Sequence, residues 1–195
     1  MYHRSGNGYY HVWISAVKNH VFFKAPHDKA YFISLLQDAL SPSSRLQEFP
    51  FLSNNLPIEI DLLAYSLTKN SVHLLIYTIR KQSIDELGQN LLSRYAQYVN
   101  QQTNYDALPF DTLFIFDYLA GPHEALNVSR EIHLLHENWR YNRYSSIGFY
   151  LDDRRGEWMR LWRLARLYDN QPSLYLDYVK SVETESDKIF EFIQT

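Results

Sequence analysis

The chain of 195 residues contains no cysteine, which excludes disulfide bonds and thiolate zinc sites. Its longest apolar runs, such as residues 72–79, are far too short to cross a membrane as a helix. Residues 1–8 are polar and lack the apolar stretch of a secretory signal peptide. The sequence also contains no internal repeat and no low-complexity linker. These absences predict a cytoplasmic protein with no membrane partner.

The net charge of -3 argues against a strongly basic nucleic-acid-binding protein. The distribution of basic residues is nevertheless uneven. Residues 1–24 contain three basic residues and no acid, and residues 139–168 contain seven arginines against three acids. Such segregation can create a basic surface on an acidic protein. Arginines on an ordinary solvated face give the same pattern, so charge alone leaves both interpretations open.

The remaining composition is typical of a globular protein, with 46% apolar and 21% charged residues. The length allows one sizeable core, with or without a C-terminal extension. Aromatic residues make up 16% of the chain. Some of these rings could stack on bases, whereas most are expected to fill the core.

Runs of β-branched and aromatic residues predict strands over residues 9–17, 58–67, 72–79 and 112–119. The second and third strands are separated by residues 68–71 and should form an antiparallel hairpin. Apolar spacing predicts helices over residues 29–40, 83–102, 122–137 and 157–168, and a further helix from Pro172. Ser83 and Glu86 have the spacing of a capping box. Prolines and small polar residues predict a loop over residues 41–57.

The predicted order is strand, helix, strand, strand, helix, strand, helix. This order is typical of a ferredoxin-like α+β fold, in which helices pack on an antiparallel sheet. Residues 1–138 are predicted to form this domain. Residues 139–195 are predicted to form a helical C-terminal extension that packs on it.

Residues 63–77, LAYSLTKNSVHLLIY, resemble the second and third strands of the REP-associated tyrosine transposases and their insertion-sequence relatives. That single-tyrosine HUH family carries Asn-His-Val-His-Leu-Leu at this place. The strand YYHVWISAVKNHVFF, the helix SRYAQYVNQQ and the segment WRYNRYSSIGFYL resemble further family segments in the same order. The resemblance covers nearly the whole chain and implies a domain that recognises DNA hairpins and single-stranded flanks, as a homodimer.

The mechanism of that family makes definite chemical demands. Two histidines at i and i+2 on a strand share one face and hold one divalent metal, which polarises the scissile phosphate. A helical tyrosine attacks phosphorus to form a phosphotyrosine. A Gln or Asn one turn later supplies another ligand, because i and i+4 share a helix face.

This sequence departs from the family at each of those positions. Ser71 replaces the first histidine, and only His73 remains. The tyrosine helix matches best at residues 131–135, which places Glu131 at the nucleophile position and Leu135 at the ligand position. A carboxylate cannot form a phosphotyrosine, and leucine cannot bind a metal. The resemblance therefore implies no intact catalytic site and no cofactor. Mg2+ or Mn2+, with His73 as the candidate ligand, would serve any residual activity.

Several alternatives remain open in the sequence. Tyr118, Tyr141 or Tyr144 could replace the nucleophile, although the chain has 16 tyrosines and most should be packed or surface residues. His11 could approach His73 if the first and third strands pair, which would make a two-histidine site of a different design. The preferred interpretation of His73 is a hydrogen-bonded histidine on a half-buried strand. His133 and Glu131 lie on different faces of their helix.

Binding of DNA tolerates these losses better than cleavage does, because phosphate contacts need only positive charge and donors. The basic candidates for such contacts are Lys18, Lys24, Arg140, Arg143, Arg154, Arg155, Arg160, Arg163 and Arg166. The last three are spaced by three residues and should form one stripe on a helix. The expected function is thus that of a transposase-like, cleavage-deficient DNA-binding protein. An active metal-dependent transposase or nuclease with a rearranged site and a protein-interaction module are the alternatives.

Overall fold

The computed structural model describes residues 7–16, 21–41, 59–103 and 112–181. Lys18, all but the first residue of the predicted loop over residues 41–57, and the C-terminal residues 182–195 lie outside the described residues. No helix in the described ranges is both long and apolar enough to cross a membrane.

The domain is built on a four-stranded antiparallel sheet with the order β2-β3-β1-β4. Its strands are β1 (Gly8–Ala16), β2 (Ile60–Leu67), β3 (Ser71–Thr78) and β4 (Thr112–Leu119). Helix α1 (Pro26–Leu40) connects β1 to β2, and helix α2 (Gln82–Thr103) lies between β3 and β4 in the chain. This connectivity confirms the predicted ferredoxin-like α+β fold.

The first face of the sheet is covered by α1 and α2. Successive side chains of a strand point to opposite faces, so every second residue of β1 and β3 enters this core. The strand residues concerned are Tyr10, Val12, Ile14, Val72, Leu74 and Ile76, all buried. Tyr95 of α2 stacks on Phe22 at 5.2 Å between ring centroids, and its hydroxyl donates to the Phe22 carbonyl at 2.9 Å. The ring thus fixes α2 to the segment that precedes α1.

The second face is covered by helix α3 (Pro122–His133) and by the C-terminal extension. The extension contains two short helices, α4 (Ile147–Tyr150) and α5 (Trp162–Ala165), two 3-10 turns at Trp139–Tyr141 and Arg166–Tyr168, and helix α6 over residues 172–181. A bulge between Leu62 and Ala64 turns both Leu63 and Ala64 toward this second core. β2 is therefore buried on both faces, by the first core on one side and by the second on the other.

The extension also pairs with the outer edge of β2. Leu67 N–H donates to the Tyr144 carbonyl at 2.9 Å, and Ser146 N–H donates to the Tyr65 carbonyl at 2.8 Å. Further along the strand, Arg160 N–H donates to the Leu62 carbonyl at 2.9 Å. An edge strand left open would invite pairing with other chains. The extension removes that edge and is held to the domain by backbone bonds.

Two helix predictions were wrong in their limits. Only residues 162–165 of the predicted helix 157–168 form an α-helix, and a 3-10 turn follows. The reason is that Trp158 and Met159 belong to the core of the first face, whereas Leu164 and Tyr168 belong to that of the second. Apolar residues that serve two cores imitated a helical period. Helix α3 ends at His133 rather than at residue 137.

The predicted capping box of α2 is also absent. The helix begins at Gln82, one residue before Ser83. The Ser83 hydroxyl is buried and has no hydrogen-bond partner among the residues that the structure describes. Glu86 instead forms an ion pair with Arg80, at 3.4 Å. Ser83 therefore lies inside the first turn, where its side chain cannot act as the cap.

A buried hydrogen-bond network holds α3, the extension and the sheet together. His133 at the end of α3 is fully buried. Its Nδ1 lies 2.8 Å from the Tyr175 hydroxyl of α6, and its Nε2 lies 2.7 Å from Ser146 Oγ. Ser146 Oγ in turn accepts the backbone N–H of Tyr65 on β2 at 2.8 Å. One imidazole therefore connects three elements that are distant in sequence.

The partners of this network fix the positions of its protons. Ser129 Oγ donates its proton to the Leu126 carbonyl at 2.7 Å, so it accepts from the Tyr175 hydroxyl at 2.9 Å. Tyr175 has then used its proton and must accept from His133 Nδ1–H. His133 Nε2 consequently accepts from Ser146 Oγ. The imidazole is neutral, and burial together with the charge of Arg154 lowers its pKa to about 3.

Tyr175→Phe should lower the free energy of unfolding by about 1–3 kcal/mol, because it leaves the buried His133 Nδ1–H without an acceptor. Urea unfolding at pH 7.5 measures the change. The matched control is Tyr178→Phe on the same helix, whose hydroxyl contacts Asn127 in an exposed position. The control should change stability by less than about 0.5 kcal/mol. Equal losses in the two variants would contradict the role given to the network.

The lowered pKa of His133 makes the fold sensitive to acid. The unfolded chain binds a proton at this residue below about pH 6.5, whereas the folded chain does so only below about pH 3. The contribution is therefore complete above pH 6.5 and is lost as the pH falls toward 3. His133→Gln should be less stable than the parent at pH 7.5. Between pH 7.5 and 5.5, however, it should lose about 1 kcal/mol less in urea unfolding. Parallel pH curves would contradict this assignment.

Candidate functional site

One end of the second face is left open to solvent. The pairing of β1 with β3 and β4 places Trp13 between His73 and Ile115, and His11 next to Asp117. Trp13 is 42% exposed and Ile115 is 37% exposed. Both exposed fractions are high for large apolar side chains on the face of a sheet. This end of the sheet is the candidate functional site.

Three rings form a continuous surface there, and we call Trp13, His73 and His11 the ring platform. The Trp13 and His73 rings lie 5.9 Å apart between centroids, with an angle of 17° between their planes. The His11 and His73 rings lie 5.4 Å apart, with an angle of 25°. The three rings are thus near-parallel on one face of the sheet, and Trp13 is the exposed member of the set, whereas His11 and His73 are half-buried.

A chain of hydrogen bonds runs from the platform to the β2–β3 hairpin. His11 Nε2 lies 3.2 Å from His73 Nδ1, and His73 Nε2 lies 3.0 Å from Ser71 Oγ. Ser71 Oγ lies 2.8 Å from Thr68 Oγ1, which also accepts the backbone N–H of Asn70 and of Ser71. Both nitrogens of His73 are therefore engaged. A metal ion could bind His73 only by displacing one of these partners.

The two histidines of the platform are neutral at pH 7. Burial, with the nearby His11 and His136, lowers the pKa of His73 to about 4. Burial also lowers the pKa of His11, against an opposing effect of the carboxylates of Asp117 and Glu131. Two neutral imidazoles can share one proton between facing nitrogens, as donor and acceptor. Two imidazolium ions at this distance would repel.

The positions matched to the transposase site meet at this end of the sheet. Ser71 and His73 share the second face of β3, and Glu131 on α3 lies close enough to influence the pKa of His11. Leu135 differs from the expectation, because α3 ends at His133 and Leu135 lies in the following turn. Within the described ranges, no three His, Asp or Glu side chains are arranged to hold a metal ion.

The three substitute tyrosines occupy different environments. Tyr118 lies on the first face, 5.5 Å from the Tyr10 ring, and so points away from His73. The Tyr144 ring lies under Lys29 Nζ and the Arg143 guanidinium and packs against the first core. Tyr141 is 86% exposed. His133, which lies in the buried network, is also separate from the platform.

Four of the basic candidates are engaged within the protein. Arg163 Nε donates to Asp61 at 2.7 Å, and its guanidinium lies 3.5 Å above the centre of the Tyr77 ring. Arg154 donates to the carbonyls of residues 143 and 145. Arg140 pairs with Asp153 at 2.7 Å, and Arg155 pairs with Asp152 at 3.4 Å. These contacts stabilise the extension and reduce the charge available for phosphates.

The other described candidates are Lys24, Arg143, Arg160 and Arg166. No acidic side chain within the described part of the chain pairs with them. The predicted stripe of three arginines on one helix was wrong. Arg160 lies on an extended segment beside β2, Arg163 on α5, and Arg166 in a 3-10 turn.

Sequence reasoning missed Trp13 as a site residue. The signal was present in the alternation of β1, where Tyr10, Val12 and Ile14 enter the core. Trp13 and His11 alternate with these residues and therefore lie on the opposite face of the sheet. A large ring on the face that also carries His73 was thus deducible once β1 and β3 were paired.

No model of a known protein family matches the chain, and no curated protein sequence matches it either. A relation to the single-tyrosine transposases therefore rests on the sequence segments quoted above.

Proposed function

We propose that the protein binds single-stranded or hairpin-bearing DNA and does not cleave it. The ring platform carries this proposal, because Trp13 is exposed and stacked on His73 at the position where the related motif would hold its metal. Exposed rings on the face of a sheet bind single strands by stacking on unpaired bases. A base pair inside a duplex has no free face to offer.

The neighbours of the platform suit this ligand. Leu113 and Ile115 of β4 extend the apolar surface beside Trp13. The Phe23 N–H donates to the Lys69 carbonyl at 3.0 Å, which brings the exposed Lys24 and Lys69 to the hairpin next to Ser71. The platform itself is neutral. Bases would therefore stack on the rings, while the lysines attract the phosphates.

The absence of cleavage is part of the proposal and follows from the chemistry of the residues. By the resemblance, Glu131 stands at the position of the nucleophile, and a carboxylate there cannot form a phosphotyrosine. Ser71 stands where the family has its first histidine, and its hydroxyl is hydrogen-bonded to His73 Nε2. It therefore supplies no second imidazole for a metal. Under this proposal, Glu131 and Ser71 take away the nucleophile and one metal ligand but leave a surface for bases.

A second candidate function is protein binding through β4. This strand lies at the edge of the sheet and exposes Leu113 and Ile115. Exposed apolar residues on an edge strand favour pairing with another chain, including a second copy of this one. Such an interaction needs β4 but not the stacking of Trp13 on His73.

Trp13→Ala should weaken binding of a labelled single-stranded DNA with a hairpin by about 10- to 100-fold, because one base loses its stacking surface. Fluorescence anisotropy measures the affinity. Trp162→Ala is the matched control, since Trp162 is 52% exposed and lies beside Arg163 and Tyr77 at the far end of β3. The control should bind within about twofold of the parent.

Three results would contradict this assignment. Loss of binding in Trp162→Ala but not in Trp13→Ala would move the contact to the arginines of the extension. No binding at low salt would exclude DNA as the ligand and favour the protein-binding function. Tighter binding of the same sequence as RNA would change the nucleic acid. For DNA contacts, affinity should also fall as salt rises, by about 0.7 logarithmic units per neutralised phosphate and decade of salt.

No covalent adduct should form when the protein is incubated with the same DNA and Mg2+ or Mn2+. Denaturing gel electrophoresis detects a phosphotyrosine as a band that resists denaturation, and an active single-tyrosine transposase is the positive control. A resistant band that Tyr141→Phe abolishes would contradict the loss of cleavage. It would identify the exposed Tyr141 as a replacement nucleophile.

A further inference from the structure

A groove of about 570 Å3 opens between the turn that follows α3 and the segment after the first 3-10 turn. Residues 135–138 form one wall, and residues 141–144 form the other. Its volume lies in the range of sites for small molecules.

The side chains of the groove combine three kinds of group. Arg143 is exposed, and no acidic side chain in the described ranges pairs with it. Asn142 Oδ1 accepts the Tyr144 N–H at 2.8 Å, which leaves its amide NH2 as a donor. The exposed Tyr141 ring has the Arg140 guanidinium at 5.3 Å from its centroid. A cation, an amide and an open ring suit a phosphate and a base.

The wall that carries these groups is fixed in place. The Arg154 guanidinium donates to the Arg143 carbonyl at 3.1 Å and to the Ser145 carbonyl. The Tyr144 carbonyl accepts the Leu67 N–H of β2. The groove therefore exists before a ligand binds, and little ordering would oppose binding.

Backbone pairing places the groove on the side of the sheet next to the strand that carries His73. The Tyr144 carbonyl, on one wall, accepts the Leu67 N–H of β2, and the preceding residue, Ser66, pairs with His73 of β3. His136 lies on the other wall, and its Nε2 atom is buried and has no hydrogen-bond partner in the described ranges. A strand stacked on Trp13 and His73 therefore has the groove as its neighbour on the β2 side of the sheet.

We infer that the groove holds one nucleotide of the single strand that binds to the platform. Arg143 contacts its phosphate, and its base lies against the Tyr141 ring. The inference rests on the proposed function and adds to it a defined second position for a base. An acidic peptide could satisfy Arg143 but would make no use of the open Tyr141 ring.

Cross-linking tests the inference directly. Single-stranded DNAs that carry one 5-iodouracil at successive positions are irradiated with the protein, and the attached peptides are mapped by mass spectrometry. We expect cross-links to Trp13 at one position and to Tyr141 at another, a fixed number of nucleotides away. Cross-links to Trp13 without any to Tyr141 at any position would overturn the inference.

Arginine variants supply an independent measurement. Arg143→Gln should weaken binding by about 5- to 10-fold and reduce the slope of log affinity against log salt by about 0.7, the effect of one phosphate contact. Lys180→Gln is the matched control, because Lys180 is exposed on α6 of the same extension and is not one of the candidates for phosphate contacts. It should leave affinity and slope unchanged. Tyr141→Ala should weaken binding without changing the slope.

The outcomes separate this inference from the proposed function. If the parent protein binds no single-stranded DNA, both are wrong. If Trp13→Ala weakens binding while Arg143→Gln and Tyr141→Ala bind like the parent, the proposed function stands and the groove does not contribute. The altered side chains are exposed, so urea unfolding should show that each variant keeps the stability of the parent.

Discussion

The arrangement of the molecule depends on one neutral imidazole, that of His133. It joins the end of α3 to Tyr175 of α6 and, through Ser146, to the backbone of β2. Because each group in this network has its single donor or acceptor role assigned, none can be exchanged without leaving a buried polar atom unpaired. The network fixes where α3 stops. The chain must then turn back to reach Ser146, and this turn forms the walls of the groove.

The second constraint is the division of the sheet into two differently covered faces. α1 and α2 cover the first face except at Tyr118 on β4, whereas α3 and the extension leave one end of the second face open. Packing in a core does not explain a large ring at this open end. Trp13 is the clearest case, since its neighbours along β1, Val12 and Ile14, are fully enclosed. The exposure of Trp13 is therefore the observation that most needs a functional explanation.

Much of the fold could be predicted from the sequence. The strands and the long α2 follow from local alternation and helical spacing, and β4 was placed at its observed limits. The helix over residues 157–168 was wrong, because its apolar residues face two cores and no local pattern encodes which core each one enters. The end of α3 depends on the partners of His133, which lie in β2 and in the extension. Such long-range contacts leave no trace in a local pattern.

The candidate site could likewise be predicted only in part from the sequence. The motif singled out Ser71 and His73 from the sequence, whereas the contact of His11 with His73 required the pairing of β1 with β3. The contact between His11 and His73 also changes the interpretation of Ser71. A hydroxyl at this position binds one nitrogen of His73 while His11 binds the other, so the imidazole is held as a neutral ring. A ring with both nitrogens occupied is a poor metal ligand, but it is a firm support on which Trp13 can stack. The contacts of His73 with His11 and Ser71 thus support the proposal of a base-binding surface rather than a metal centre.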